Sequence, residues 1–120
     1  MMVDARMHED TLRQEAVDLA TDIVSLLVDS KGIVRPEDAY VISMECVRVA
    51  DRIGKARQAD LPHEARRLFG EAQTSAQKAL VALDRAGALY PVPREEAARL
   101  GKRLNLLVVA LRAMASLGDN

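Results

Sequence analysis

Aromatic residues are almost missing from this chain: Tyr40, Phe69 and Tyr90 are the only rings in 120 residues, and there is no tryptophan. So few rings leave no platform on which unpaired bases could stack, which excludes single-strand recognition by that route. Cysteine is rarer still. The single Cys46 has no partner for an intramolecular disulfide, and no charged-then-apolar leader with a small-residue cleavage site is visible, so a cytoplasmic location is expected. Long apolar runs are also lacking: the stretch from Leu106 to Leu111 is far shorter than the roughly 20 residues of a spanning helix, and no membrane association is expected. Histidine is confined to His8 and His63, neither with a second ligand at helical spacing. No metal, no other cofactor, no small-molecule substrate and no catalytic group are therefore expected.

What remains is a chain of Ala, Leu, Val, Glu, Asp and Arg with few glycines and prolines, the composition of an all-helical domain. Its length suits a single core. Residues 1–8 read as a flexible tail, 9–117 as the folded domain and 118–120 as a second tail.

Four amphipathic segments follow one another. From about Glu9 to Ser30, the residues Leu12, Ala16, Leu19, Ile23 and Leu26 make one helical seam, ended by Lys31 and Gly32. Pro36, with Glu37 and Asp38 behind it, opens a second helix whose seam is Ala39, Ile42, Cys46, Val49 and Ile53. Asp60 is a candidate cap and Pro62 a first-turn residue of a third helix running to about Ala86, with the small-residue seam Ala65, Leu68, Ala72, Ala76, Ala79 and Leu83. Gly87 is expected to close it, with Leu89 folding back on the cap. Pro93, Glu95 and Glu96 open a fourth helix with the seam Ala97, Leu100, Leu104, Leu107, Leu111 and Met114. Four such helices joined by short turns predict an all-α, antiparallel up-down-up-down four-helix bundle. The small side chains of the third helix predict the closest packing there.

The seams do not absorb every apolar residue. Val24, Leu27, Tyr40, Val41, Leu106 and Val109 lie beside them, and a helix apolar on more than one side is buried on more than one side. These six are the candidate interface of a homo-oligomer.

Charge is unevenly shared. Up to Glu45 there are ten acids against four bases, a net -6, and from Cys46 onward eight acids against thirteen bases, a net +5. Glu15, Asp18, Asp22 and Asp29 line one side of the first helix without the Glu-x-x-His pairs of a di-iron bundle. Arg48, Arg52 and Lys55 form a stripe on the second helix that leads to Arg66 and Arg67 across the turn, and Arg99, Lys102 and Arg103 form another on the fourth. Several such charges on one continuous surface are what phosphate binding requires. The competing reading is a set of solvated faces with intrahelical partners, such as Glu95 with Arg99.

Two resemblances bear on function. Arg57 and His63 stand at the Arg-x-x-x-x-x-His spacing of the HEPN ribonucleases, although Pro62 precedes the histidine and the pair spans the turn between two helices. More of the chain is similar to the four-helix-bundle proteins of 23S ribosomal RNA intervening sequences and to the accessory variability determinants of diversity-generating retroelements. The residues that carry this resemblance are "LATDIVSLL" in the first helix, "HEARRLFGEAQTSAQKALVALDRAGAL" in the third and the proline-opened "PVPREEAARLGKRLNLLVVAL" in the fourth. The ribosomal branch carries a Ser-Ile-Pro-x-Asn-Ile-Ala-Glu-Gly stretch where this chain reads "VADRIGKAR", so it resembles the accessory branch more closely. That resemblance implies a non-enzymatic, ring-like homo-oligomer, expected as a pentamer, that binds reverse transcriptase and RNA or DNA through a basic surface. The alternative is a protein-interaction module without nucleic-acid binding, and a third reading is the ribonuclease.

Overall fold

A computed structural model describes residues 5–29 and 34–116, with side chains from residue 11 onward. These residues form four helices and no strand: α1 (Ala5–Asp29), α2 (Pro36–Gln58), α3 (Pro62–Leu89) and α4 (Arg94–Ser116). Each helix packs on the next, and α4 returns to α1, while among the described residues no Cα of either diagonal pair comes within 8 Å of its opposite helix. The result is an elongated four-helix bundle of 46 × 29 × 21 Å. At about 1.5 Å per residue, the 28 residues of α3 span nearly the whole long axis.

The expected seams make the core. Ala16, Leu19, Ile23 and Leu26 of α1 meet Ile42, Cys46, Val49 and Ile53 of α2, Leu68, Ala72, Ala76, Ala79 and Leu83 of α3, and Leu100, Leu104, Leu107 and Leu111 of α4, all buried. Leu12, Ala39, Ala65, Ala97 and Met114 pack against its margin. Removing these side chains from water supplies the main folding drive, about 1.5–3 kcal/mol for each fully buried Val, Leu or Ile. The alanine stripe of α3 lets both neighbouring backbones approach. Its interfaces with α2 and α4 are the two most extensive, and α1–α4 is the least.

The ends of the helices differ in detail from the sequence expectations. Helix α1 begins at Ala5, ahead of Glu9, and the Lys31–Gly32 terminator lies outside the described residues. The residue capping α3 is Leu61, not Asp60; its carbonyl accepts from the Glu64 and Ala65 amides at 3.1 Å, with Pro62 in the first turn. No side chain caps that end. Gly87 does not close α3 either. The helix continues to Leu89, and Tyr90 turns the chain in an extended conformation, its amide donating to the Ala86 carbonyl at 2.9 Å. Leu89 stays exposed and does not fold back, while Val92 plugs the end of the core. The Tyr90 hydroxyl donates to Asp38 of α2, which ties this turn across the bundle. The Pro93 carbonyl then accepts from Ala97 at 3.0 Å and starts α4 within one residue of the expected position.

Candidate functional site

The basic stripes are present, but carboxylates meet them nearly everywhere. Arg48 Nη1 donates at 2.9 Å to Oε1 of Glu45, the one buried charged residue among those described. Arg52 donates through Nε to Glu71 of α3 at 3.0 Å and also bonds Asp51, which Lys55 approaches at 3.3 Å. Hydrogen bonding from Lys55 first, and then the nearby charges, hold the Asp51 carboxyl below the usual carboxylate range. Arg67 bonds the same Glu71, so one carboxylate bridges two arginines across the α2–α3 interface.

An open cavity of about 500 Å³ beside the α2–α3 turn gathers Arg52, Lys55 and Arg67, but also Asp60, Glu64 and Glu71. Three bases face three acids there. Arg66 is half-buried and is itself engaged. The α2 and α4 stripes do not converge, because these two helices stand on a diagonal of the bundle. On α4, Arg99 bonds Glu96, whereas Lys102 is exposed beside an α3–α4 cavity and has no ion-pair partner among the described residues.

Arg103 departs furthest from expectation. It donates to Glu15 through Nε at 3.1 Å and Nη2 at 2.6 Å, and to Asp22 through Nη1 at 2.8 Å. Hydrogen bonds to Asp22 and then Glu15 raise its pKa further. Arg103 therefore clasps α4 to the acidic side of α1 and is not a free surface cation, because three of its five N–H donors are already used within the fold.

The apolar residues outside the seams fall into separate places. Leu27 is only 8% exposed and belongs to the core, which removes it from the expected interface. The others are exposed. On α1, Val17, Val24 and Val28 fall within an arc of about 40° at 100° per residue. That arc adjoins α2, since Arg13 on the same flank lies over Gly54 of α2. Tyr40 and Val47, 65% and 54% exposed, precede Gly54 at heptad spacing and so share the stripe of α2 that Arg13 of α1 approaches, which sets the two apolar arcs side by side. On α4, Leu106 (69%) and Val109 (53%) form an outward crest continued by exposed Ala113. The α1–α2 face and the α4 crest lie on different sides of the bundle. Val41 belongs to neither, and lines a groove between α2 and α3. Composition alone marks these residues; their distribution over three surfaces comes from the order in which the helices pack.

The other candidate reactive groups are Cys46, Arg57 and His63. Burial, and then the charge of Glu45, push the Cys46 thiol up to about 11, so little thiolate exists at neutral pH. Arg57 lies in the last turn of α2 and His63 in the first turn of α3, both exposed, and Arg57 is itself engaged in an interaction. Among the described residues no three His, Cys, Asp or Glu side chains gather as a metal site, and no helix is long and apolar enough to cross a membrane. Comparisons with protein-family models, curated proteins and solved structures yield no match.

Proposed function

We propose that this chain is a non-catalytic binding platform that assembles with copies of itself. The observation that carries this reading is the pair of exposed apolar faces on different sides of a bundle whose core is already filled: Val17, Val24, Val28, Tyr40 and Val47 on one, Leu106 and Val109 on the other. Apolar residues clustered in this way exceed what scattered surface hydrophobes require. When two different faces of one protomer meet, the contact is heterologous, and such contacts close into a ring if the rotation between protomers allows it. A pentamer is the expected ring. The resemblance to accessory proteins of diversity-generating retroelements makes reverse transcriptase the proposed protein partner.

Binding of RNA or DNA is the second reading. The convergence of Arg52, Lys55 and Arg67 at the α2–α3 turn, with Arg48 and Arg66 nearby, favours it. Exposed ion pairs contribute only about 0–1 kcal/mol, so a phosphate can displace the carboxylate from such an arginine. The matched acids weigh toward a protein partner. Titration with RNA at rising salt separates the two. A steep salt dependence that disappears when Arg48, Arg52 and Lys55 are changed to Glu supports nucleic-acid binding, and the absence of any salt-sensitive affinity leaves the protein-interaction module.

A further inference from the structure

We propose that the groove between the start of α2 and the C-terminal half of α3 is a docking slot for an acidic amphipathic helix of a partner protein. The inference rests on the reading of the chain as a binding platform, but it uses a surface distinct from the two faces assigned to self-assembly.

The shape of the groove suits a helix. Its volume is about 470 Å³, and its lining on α3 runs from Thr74 to Leu89. At about 1.5 Å per residue that is roughly 22 Å of length. A helix laid along such a length inserts a row of side chains from successive turns. The base suits such a row, since Ala82 and buried Ala86 lie deepest on α3, with exposed Leu89 and Val41 beside them and Val81 at the outer rim.

Charge selects an acidic helix. Lys78 and Arg85 also line the groove, one heptad apart on α3 and so roughly 10 Å from each other along the helix. Neither has an ion-pair partner among the described residues, in contrast to Arg48, Arg52, Arg67, Arg99 and Arg103, each of which bonds a carboxylate. The single acid in the lining is Asp38, and it accepts a hydrogen bond from the Tyr90 hydroxyl. The slot is therefore apolar at its base, with Lys78 and Arg85 above it on the α3 side and Val81 at the rim beyond them. Its complement is a helix with an apolar seam flanked by carboxylates one heptad apart.

The test uses the full chain and two synthetic helical peptides of roughly 20 residues, long enough to hold helical structure. Both carry a leucine seam. One has glutamates a heptad apart beside it, and the other has lysines at the same positions. Fluorescence anisotropy is expected to show the glutamate peptide binding and the lysine peptide not. Lys78→Glu with Arg85→Glu should weaken the glutamate peptide tenfold or more and let the lysine peptide bind. Val81→Ser should weaken the glutamate peptide while leaving that preference in place, and circular dichroism checks that each variant is folded. Equal binding of both peptides, no binding to the wild-type chain, or an unchanged preference after the charge reversal overturns the proposal. So does loss of self-association in the charge-reversed variant, because that would make a second copy of this chain the occupant. Sedimentation of the wild-type chain reads self-assembly separately, so either idea can fail alone.

Discussion

The α2–α3 and α1–α4 interfaces close the same bundle by different means. Between α2 and α3 the contact is long and made by small side chains, with Ala72, Ala76 and Ala79 fully buried and Glu71 bridging Arg52 and Arg67 at the rim. Between α4 and α1 the contact is the least extensive of the four, and Arg103 clasps Glu15 and Asp22 across it. Close approach of backbones needs no charge to hold it, whereas a sparser interface gains from directed, charge-assisted hydrogen bonds. The same chain thus uses Arg52 and Arg103 between its own helices and leaves Lys78 and Arg85 beside a largely apolar groove.

Substitutions on the two sides should break in different ways. Leu107 is buried where α4 meets α1, and Leu107→Ala is expected to give the largest loss, about 2–5 kcal/mol in denaturant unfolding. Against a total of about 5–15 kcal/mol for a domain, that is severe. On the other side the sensitive change is an addition. Ala76 has no exposed surface, and Ala76→Leu should cost about 1–3 kcal/mol by forcing α3 away from its neighbours. Arg103→Met comes next. Its partners are only half-buried, so solvent screening limits the loss to about 1 kcal/mol, and the loss should shrink as salt rises. Hydrogen exchange adds a spatial contrast: in that variant the amides of α1 should exchange faster while those of α2 and α3 hold.

The effect that is smallest at neutral pH emerges only in alkali. The Cys46 thiol is raised from 9.0 to about 11 in the folded protein, so its contribution to stability is fully present below pH 9 and is lost as pH rises through 11. Cys46→Ala should remove that part of the alkaline loss, read as a flatter melting temperature across the same window. Tyr90, raised chiefly by its bond to Asp38, shifts in the same direction and accounts for part of what remains.

Much of this architecture is legible in the sequence because burial follows the helical period. The seam from Leu100 to Leu111 reads as buried from its spacing alone, and so does the alanine seam of α3. Helix ends are less legible. Gly87 looks like a stop, yet glycine only permits a left-handed cap, and here the helix runs on to Leu89 with Val92 filling the core beyond it. Leu27 looks like an outer residue by spacing, but the arc that α1 buries is wide enough to include it.

The candidate site is the least legible part, for a physical reason. Whether an arginine is free depends on carboxylates that arrive from other helices, and Arg103 finds Glu15 across 88 residues of sequence. Intrahelical spacing suggests Glu95 as the partner of Arg99, which instead bonds Glu96, and it reveals neither that long-range pairing nor that the stripes of α2 and α4 stand on a diagonal. Lys78 and Arg85 carry no mark in the sequence, because nothing identifies a cation as unpaired until its surroundings are known.

Self-assembly through the two apolar faces stands or falls on sedimentation of the purified chain. A closed oligomer is expected for the wild-type chain and a folded monomer for Leu106→Glu, which places a charge on the α4 crest without touching the core. A wild-type chain that sediments as a clean monomer at every concentration would contradict self-assembly.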